Sequence, residues 1–184
     1  MSPNLILAIQ KPVIVTDPLY AQWFANRTDS LLEALFGVGF CEAYMANVHG
    51  WRLVEHSITL HPGYLCFIEP FCHSGSNNGS SIAYLTAQEA NNGYLWDFGI
   101  YVGADNGAAF EECSLRYLIE IDGYSVHRKQ RKWDVTKMPT GGLTVIRVHE
   151  EFYKSIGEAA DDVLQNTIFF TEDPTPTKLT ITHA

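Results

Sequence analysis

Tyr94-Leu95-Trp96-Asp97-Phe98-Gly99-Ile100-Tyr101 and Tyr117-Leu118-Ile119-Glu120-Ile121-Asp122-Gly123 are two apolar runs of strand length, rich in aromatic and β-branched residues. Each carries acidic residues where apolar ones are expected. Side chains alternate across a strand, so Glu120 and Asp122 share a face, roughly 6–7 Å apart along the chain. If the two runs pair as neighbours, Asp97 comes near them. Carboxylates in an apolar setting are costly unless a cation or hydrogen bonds offset them. A hard divalent ion such as Mg²⁺ takes oxygen ligands and leaves positions for water and phosphate. The plainer reading of Glu120-Ile121-Asp122-Gly123 is a strand running into a turn, and of Asp97 a single turn or cap residue. Their joint appearance, followed at once by His127 and a basic stretch, favours a site.

Outward from these runs, residues 64–71 and 143–149 also read as strands. The linker 103–112 contains Asp105-Asn106-Gly107 and suits an exposed hairpin connection. Ser30-Leu31-Leu32-Glu33 is a capping box before an apolar run, which starts a helix that extends toward Val48, with Gly37 and Gly39 weakening its middle. A second helix is expected over 125–137, ending before Pro139 and the Gly141-Gly142 pair, and a third over 152–165. Residues 49–60 are ambiguous, and 73–81 (HSGSNNGSS) is a loop by composition. Residues 1–28 read as an N-terminal arm interrupted by prolines, docked through Trp23 and Phe24. Residues 171–184 form a Pro/Thr-rich tail, either loose or adding an edge strand. The order helix, three strands, helix, strand, helix implies a mixed sheet with helices on both faces.

The chain has 184 residues, 46 % hydrophobic and 18 % charged, the composition of one soluble globular domain. Its formal net charge of −9 argues against a protein that coats nucleic acid by charge alone. The stretch 127–137 is the exception, with Arg128, Lys129, Arg131, Lys132 and Lys137 against Asp134 alone. A basic strip on an acidic body fits contact with phosphate at one place, and fits a solvated helix face equally well. The first fifteen residues have no basic n-region, and Lys11 and Pro12 interrupt them. They read as neither signal peptide nor membrane span, so a cytoplasmic location without membrane contact is the default. Cys41, Cys66, Cys72 and Cys113 form no CxxC pair and read as reduced core thiols. With His61 and His73 they lack the ligand order of a zinc site.

LWDFGIYV, a short insertion, YLIEIDGYSVHRKQRKWD and then GLTVIRVHEEF together resemble the PD-(D/E)XK nuclease superfamily. The branch they resemble most contains very-short-patch repair endonucleases and related homing endonucleases. The matching positions are Glu33, Asp97-Phe98, Glu120-Ile121-Asp122-Gly123 with His127, Asp134, and Gly142 through Arg147. The resemblance implies an α/β fold, a restriction-endonuclease-like mixed sheet with an α-β-β-β-α-β core and flanking helices, over residues 29–170. It implies a metal-dependent endonuclease that hydrolyses DNA, with Mg²⁺ or Mn²⁺ on Asp97, Glu120 and the Ile121 carbonyl. His127 would transfer protons, Glu33 and Asp122 would complete the catalytic set, and Arg128, Lys129, Arg131 and Lys132 would meet phosphates. Asp122 stands where the superfamily's general motif has lysine, and an anion cannot do what that lysine does. The alternative is therefore a catalytically inactive member that binds nucleic acid or another protein. Nicking is expected of a monomer; cleavage of both strands needs a homodimer, and sequence recognition comes from loops or a separate partner.

Overall fold

The computed structural model describes residues 17–48, 58–69, 81–103, 109–123, 139–168 and 178–183. Helix α1 (Asp17–Ala25) and helix α2 (Leu31–Val48) precede strands β1 (Ile58–Leu60), β2 (Leu65–Glu69), β3 (Ser81–Asn91), β4 (Tyr94–Gly103), β5 (Ser114–Asp122) and β6 (Thr144–His149). Helix α3 (Ile156–Thr167) and strand β7 (Thr180–His183) follow, and short 3₁₀ turns occupy Phe110–Glu112 and Glu150–Phe152. The seven strands form one mixed α/β sheet in chain order, β1 to β7. Every neighbouring pair is antiparallel except β5–β6, which is parallel. A parallel pair needs a crossover between its strands; the helix expected there, at 125–137, lies outside the described residues.

β3 is the element that composition hid. Its second half runs through Ala87-Gln88-Glu89-Ala90, residues with little strand preference. Pairing decides it: β3 and β4 form a long hairpin from Ile82↔Gly103 to Asn91↔Tyr94. The turn is Asn92-Gly93, with φ of +51° and +76°. Positive φ at both central residues is what a two-residue turn between twisted strands requires, and Asn-Gly provides it at low cost. The hairpin thus joins β3 to β4, upstream of the linker 103–112 to which the sequence reading assigned one.

All three described helices pack on one face of the sheet. Tyr20, Trp23 and Phe24 of α1, Phe36, Phe40 and Tyr44 of α2, and Ala160, Val163 and Leu164 of α3 share a core with Phe67, Leu85, Phe98, Ile100, Ile119, Ile121, Ile146 and Val148. Phe98 is ringed by Phe24 and Phe36 at 6.0 and 5.4 Å between centroids, and Phe67 by Phe40 and Tyr44 at 5.6 and 5.0 Å. Burying each such ring stabilises the fold by about 1.5–3 kcal/mol. The segment read as an arm contributes α1, whose Trp23 indole donates to the His61 carbonyl at 2.8 Å.

The glycines that weaken α2 as a helix serve its packing. A Cβ at Gly37 would lie 2.4 Å from the Phe24 ring, and one at Gly39 would lie 3.0 Å from Gly157 Cα in α3. Helix α3 starts later than its apolar pattern, because the Ser155 hydroxyl caps it by accepting from the Glu158 amide at 3.2 Å. The opposite face carries two smaller clusters, Trp96 with Leu118, Leu143 and Val145, and Cys66 with Ile82 and Tyr84. Helices on both faces were expected; among the described residues they stand on one. No described helix is long and apolar enough to cross a membrane.

Gly37→Ala should lower the free energy of unfolding by about 1–3 kcal/mol in urea titration, since Phe24 is itself enclosed. Gly63→Ala, where a Cβ meets nothing within 4 Å, should cost nothing by the same measurement.

Candidate active site

The β3–β4 ladder is in register on both sides of one missing step: Ala87↔Phe98 and Glu89↔Trp96 pair, while Gln88 and Asp97 between them do not. Gln88 takes φ of +55°, a conformation costly for a residue with a side chain. The distortion reverses which face each side chain uses. Before the step, Leu85 and Phe98 face the helices. Beyond it, Trp96 lies on the opposite face with Leu118 and Val145, and Glu89 turns there to accept from the Thr86 and Tyr101 hydroxyls. Burial and the Glu89 carboxylate hold the Tyr101 phenol up at about 12. Asp97 sits at the point of reversal.

The β4–β5 ladder ends at Phe98↔Ile119, one residue short of Asp97 and Glu120. There the Asp97 carboxylate takes over from the backbone: its Oδ2 accepts the Ile121 amide proton at 2.6 Å. A strand N–H must find an acceptor, and a charged one makes the stronger bond, about 1.5–3 kcal/mol. That amide belongs to the peptide joining Glu120 to Ile121, so the Asp97 carboxylate is held against the backbone of Glu120 itself.

Glu120 is 3 % exposed. Ile119 and Ile121 on either side of it belong to the helix-side core, so its side chain leaves the sheet on the other face. Its partner in the parallel register is Arg147, and that of Asp122 is His149. The ends of β5 and β6 therefore set two acidic residues opposite two basic ones in the register. In the second pair, His149 Nδ1 lies 3.1 Å from Asp122 Oδ2.

Glu33 comes to the same end of the sheet from α2. Its amide donates to the Ser30 hydroxyl at 3.2 Å, and that hydroxyl donates to Glu33 Oε1 at 2.6 Å. Oε2 accepts from the Asp29 amide at 3.1 Å and from Gln88 Nε2 at 2.9 Å. The capping box is thus built with the Asp29 amide in place of the expected Ser30 amide. Its acidic member also holds Gln88, the residue across the ladder from Asp97. Three protein donors use most of the roughly four acceptor positions of this carboxylate. A Cβ on Gly123 would lie 3.1 Å from Leu32 and 3.9 Å from Glu150 Oε2. The first turn of α2, the end of β5 and the start of the turn after β6 meet there.

Asp97 is thus brought to the Glu120–Ile121 peptide of β5, with Asp122 further along the same strand and Glu33 linked to Gln88 across the ladder from Asp97. His127, Arg128, Lys129, Arg131, Lys132 and Asp134 lie outside the described residues. Sequence reasoning overlooked His149, although counting alternation along Leu143-Thr144-Val145-Ile146-Arg147-Val148-His149 puts it on the face of Arg147. Gln88 carried no signal. Among the described residues no three His, Cys, Asp or Glu side chains converge as a group able to hold a metal. Mg²⁺ asks for less, because it keeps several waters and binds through one or two carboxylates plus phosphate oxygens. No protein-family model, curated protein or solved structure matches this chain.

Glu33→Ala should destabilise the protein by about 1–3 kcal/mol in thermal or urea unfolding, since it removes the cap and the anchor of Gln88. A carboxylate kept only to hold a metal would give the opposite sign in metal-free protein, because its removal relieves repulsion.

Proposed function

We propose that the chain is a metal-dependent endonuclease hydrolysing DNA phosphodiester bonds. The observation that carries this reading is the hydrogen bond of Asp97 to the Ile121 amide, which holds one carboxylate against the peptide of another at the end of a sheet. The order supports it as well. A helix with Glu33 in its first turn, antiparallel strands carrying Asp97 and Glu120, and a parallel strand after a basic stretch occur in the chain order that the resemblance implies, although five strands rather than three precede that stretch.

Asp97, Glu120 and the Ile121 carbonyl are the residues that would hold Mg²⁺ or Mn²⁺. Such an ion, when bound, polarises a phosphate and lowers the pKa of water. The chain's own residues do the rest. The Ile121 amide orients Asp97, so no side-chain freedom is lost when a ligand arrives. The burial of Glu120, 3 % exposed, keeps water from one side of the site. Arg128, Lys129, Arg131 and Lys132 supply phosphate contacts that give affinity without sequence information, and His127 is placed by the resemblance to transfer protons. A single site cuts one strand, so a monomer nicks.

Specific observations favour a second reading, an inactive fold that binds nucleic acid or protein. The register sets Arg147 beside Glu120, and His149 pairs with Asp122, so the acids of β5 have basic neighbours within the protein. The net charge of −9 points the same way.

Asp97→Asn keeps an oxygen for the Ile121 amide and removes the charge. It should leave the circular dichroism spectrum unchanged and lower Mg²⁺- or Mn²⁺-dependent nicking of supercoiled plasmid by about 100-fold or more. Calorimetry with Mn²⁺ separates the readings: wild type should bind and Asp97→Asn should not, whereas an inert fold gives no heat in either.

A further inference from the structure

In a regular strand the residues on either side of any position share one face, and the residue between them takes the other. Asp97 departs from this rule. Phe98 lies in the core beneath the helices, whereas Trp96 lies in the cluster on the opposite face. A residue whose two neighbours point to opposite faces sends its own side chain edgewise, along the sheet. The Asp97 carboxylate is found there: its Oδ2 accepts the Ile121 amide of β5, a proton that points within the sheet toward the neighbouring strand. Across the ladder the same change of face runs through Gln88 and Glu89. Leu85 and Ala87 face the helices, so alternation assigns Gln88 to the far face and Glu89 to the helices. Instead, Gln88 Nε2 donates to Glu33 of α2, on the helix side, at 2.9 Å. Glu89 lies on the far face, where Oε2 accepts from the Thr86 hydroxyl at 2.5 Å and Oε1 from the Tyr101 hydroxyl at 2.9 Å.

The missing ladder step is thus held from both faces, by the Glu33 carboxylate through Gln88 and by the Glu89 carboxylate through two hydroxyls. Gly99 leaves the room that the second hold needs. A Cβ there would lie 2.7 Å from Glu89 Cγ and 2.9 Å from the Thr86 hydroxyl oxygen. The φ of +55° at Gln88 is costly for a residue with a side chain, and such a conformation persists only where its surroundings fix it. Local breaks in strand pairing re-aim side chains beside active sites. We propose that Glu89 is a positioning residue for Asp97: by anchoring the β3 side of the missing step, it keeps the Asp97 carboxylate edgewise against the Ile121 amide and in place for the metal ion. Glu89 acts through Asp97 and not on the substrate. The inference rests on the endonuclease reading for what Asp97 binds, and on β3 and β4 for where Asp97 points.

The competing role for Glu89 is to satisfy the Thr86 and Tyr101 hydroxyls and no more, and the Ile121 amide separates the two. A backbone amide that donates to a carboxylate at 2.6 Å gives a proton resonance shifted far downfield. In metal-free protein, Glu89→Ala should move that resonance upfield and speed its solvent exchange by about 10-fold or more. Glu89→Gln, which can still bond both hydroxyls, should keep it. Glu89→Ala should also weaken Mn²⁺ binding in calorimetry by about 10- to 100-fold and lower plasmid nicking by a similar factor, with Glu89→Gln close to wild type. Gly37→Ala, which disturbs the core under α1, is the control for lost stability and should leave the Ile121 resonance in place. If Glu89→Ala does not fold, Thr86→Val combined with Tyr101→Phe removes both hydroxyls, keeps the shapes and should give the same losses. The inference is overturned if the folded variant keeps the wild-type Ile121 resonance or the wild-type Mn²⁺ affinity. It is also overturned if Gly37→Ala moves the resonance as far. A wild-type protein that binds no Mn²⁺ and cuts no DNA removes the endonuclease reading, and the inference falls with it for that separate reason.

Discussion

The 2.6 Å bond from the Ile121 amide to the Asp97 carboxylate stands where the β4–β5 ladder stops. It answers two demands at once. The strand amide needs an acceptor, and the aspartate, set among apolar residues, needs a donor to offset its desolvation. The bond ties the end of β5 to β4 one step beyond the last ladder pair, Phe98↔Ile119. The rest of the site is arranged around it, with Gln88 across the ladder, Glu33 behind Gln88, and the facing acidic and basic positions of β5 and β6 beyond.

The reversal of side-chain direction at Gln88 and Asp97 has an energetic logic. A β-strand that kept strict alternation would send Trp96 into the helix-side core beside Phe98 and leave Leu118 and Val145 without a large partner on the other face. The positive φ at Gln88 costs of the order of 1–3 kcal/mol. Against this stand a fully buried Trp96, the Gln88–Glu33 bond and the Asp97–Ile121 bond. Backbone strain kept in place by its surroundings is characteristic of functional sites, and this one lies on β3, across the ladder from Asp97 on β4.

The acidic end of the sheet is not simply a cluster of repelling charges. Parallel pairing of β5 with β6 aligns Glu120 with Arg147 and Asp122 with His149, so each acid has a basic neighbour on the same face. This moderates the cost of collecting carboxylates in a partly buried place. It also means that the same side chains can support either chemistry on phosphate or a self-contained ionic network. The distinction lies in whether Asp97 and Glu120 act together on a cation or Glu120 is committed to the protein.

Local patterns were enough to locate β4, β5 and β6, the capped start of α2 and the pairing of the strand of Asp97 with that of Glu120. Alternation, apolar runs and the Ser30–Glu33 spacing are properties of adjacent residues, and they survive without knowledge of what packs where. β3 escaped because Ala87 through Ala90 have little preference for extended structure, and only the long pairing with β4 makes them a strand. Its Asn92-Gly93 turn was legible and was overlooked. The face reversal at Gln88, the reach of Glu33 to the Asp29 amide, and the meeting of Asp122, His149 and Thr180 from three strands were decided by tertiary structure alone. Each depends on register between segments distant in the chain, and register is set by the summed packing of both faces of the sheet, which no local window contains.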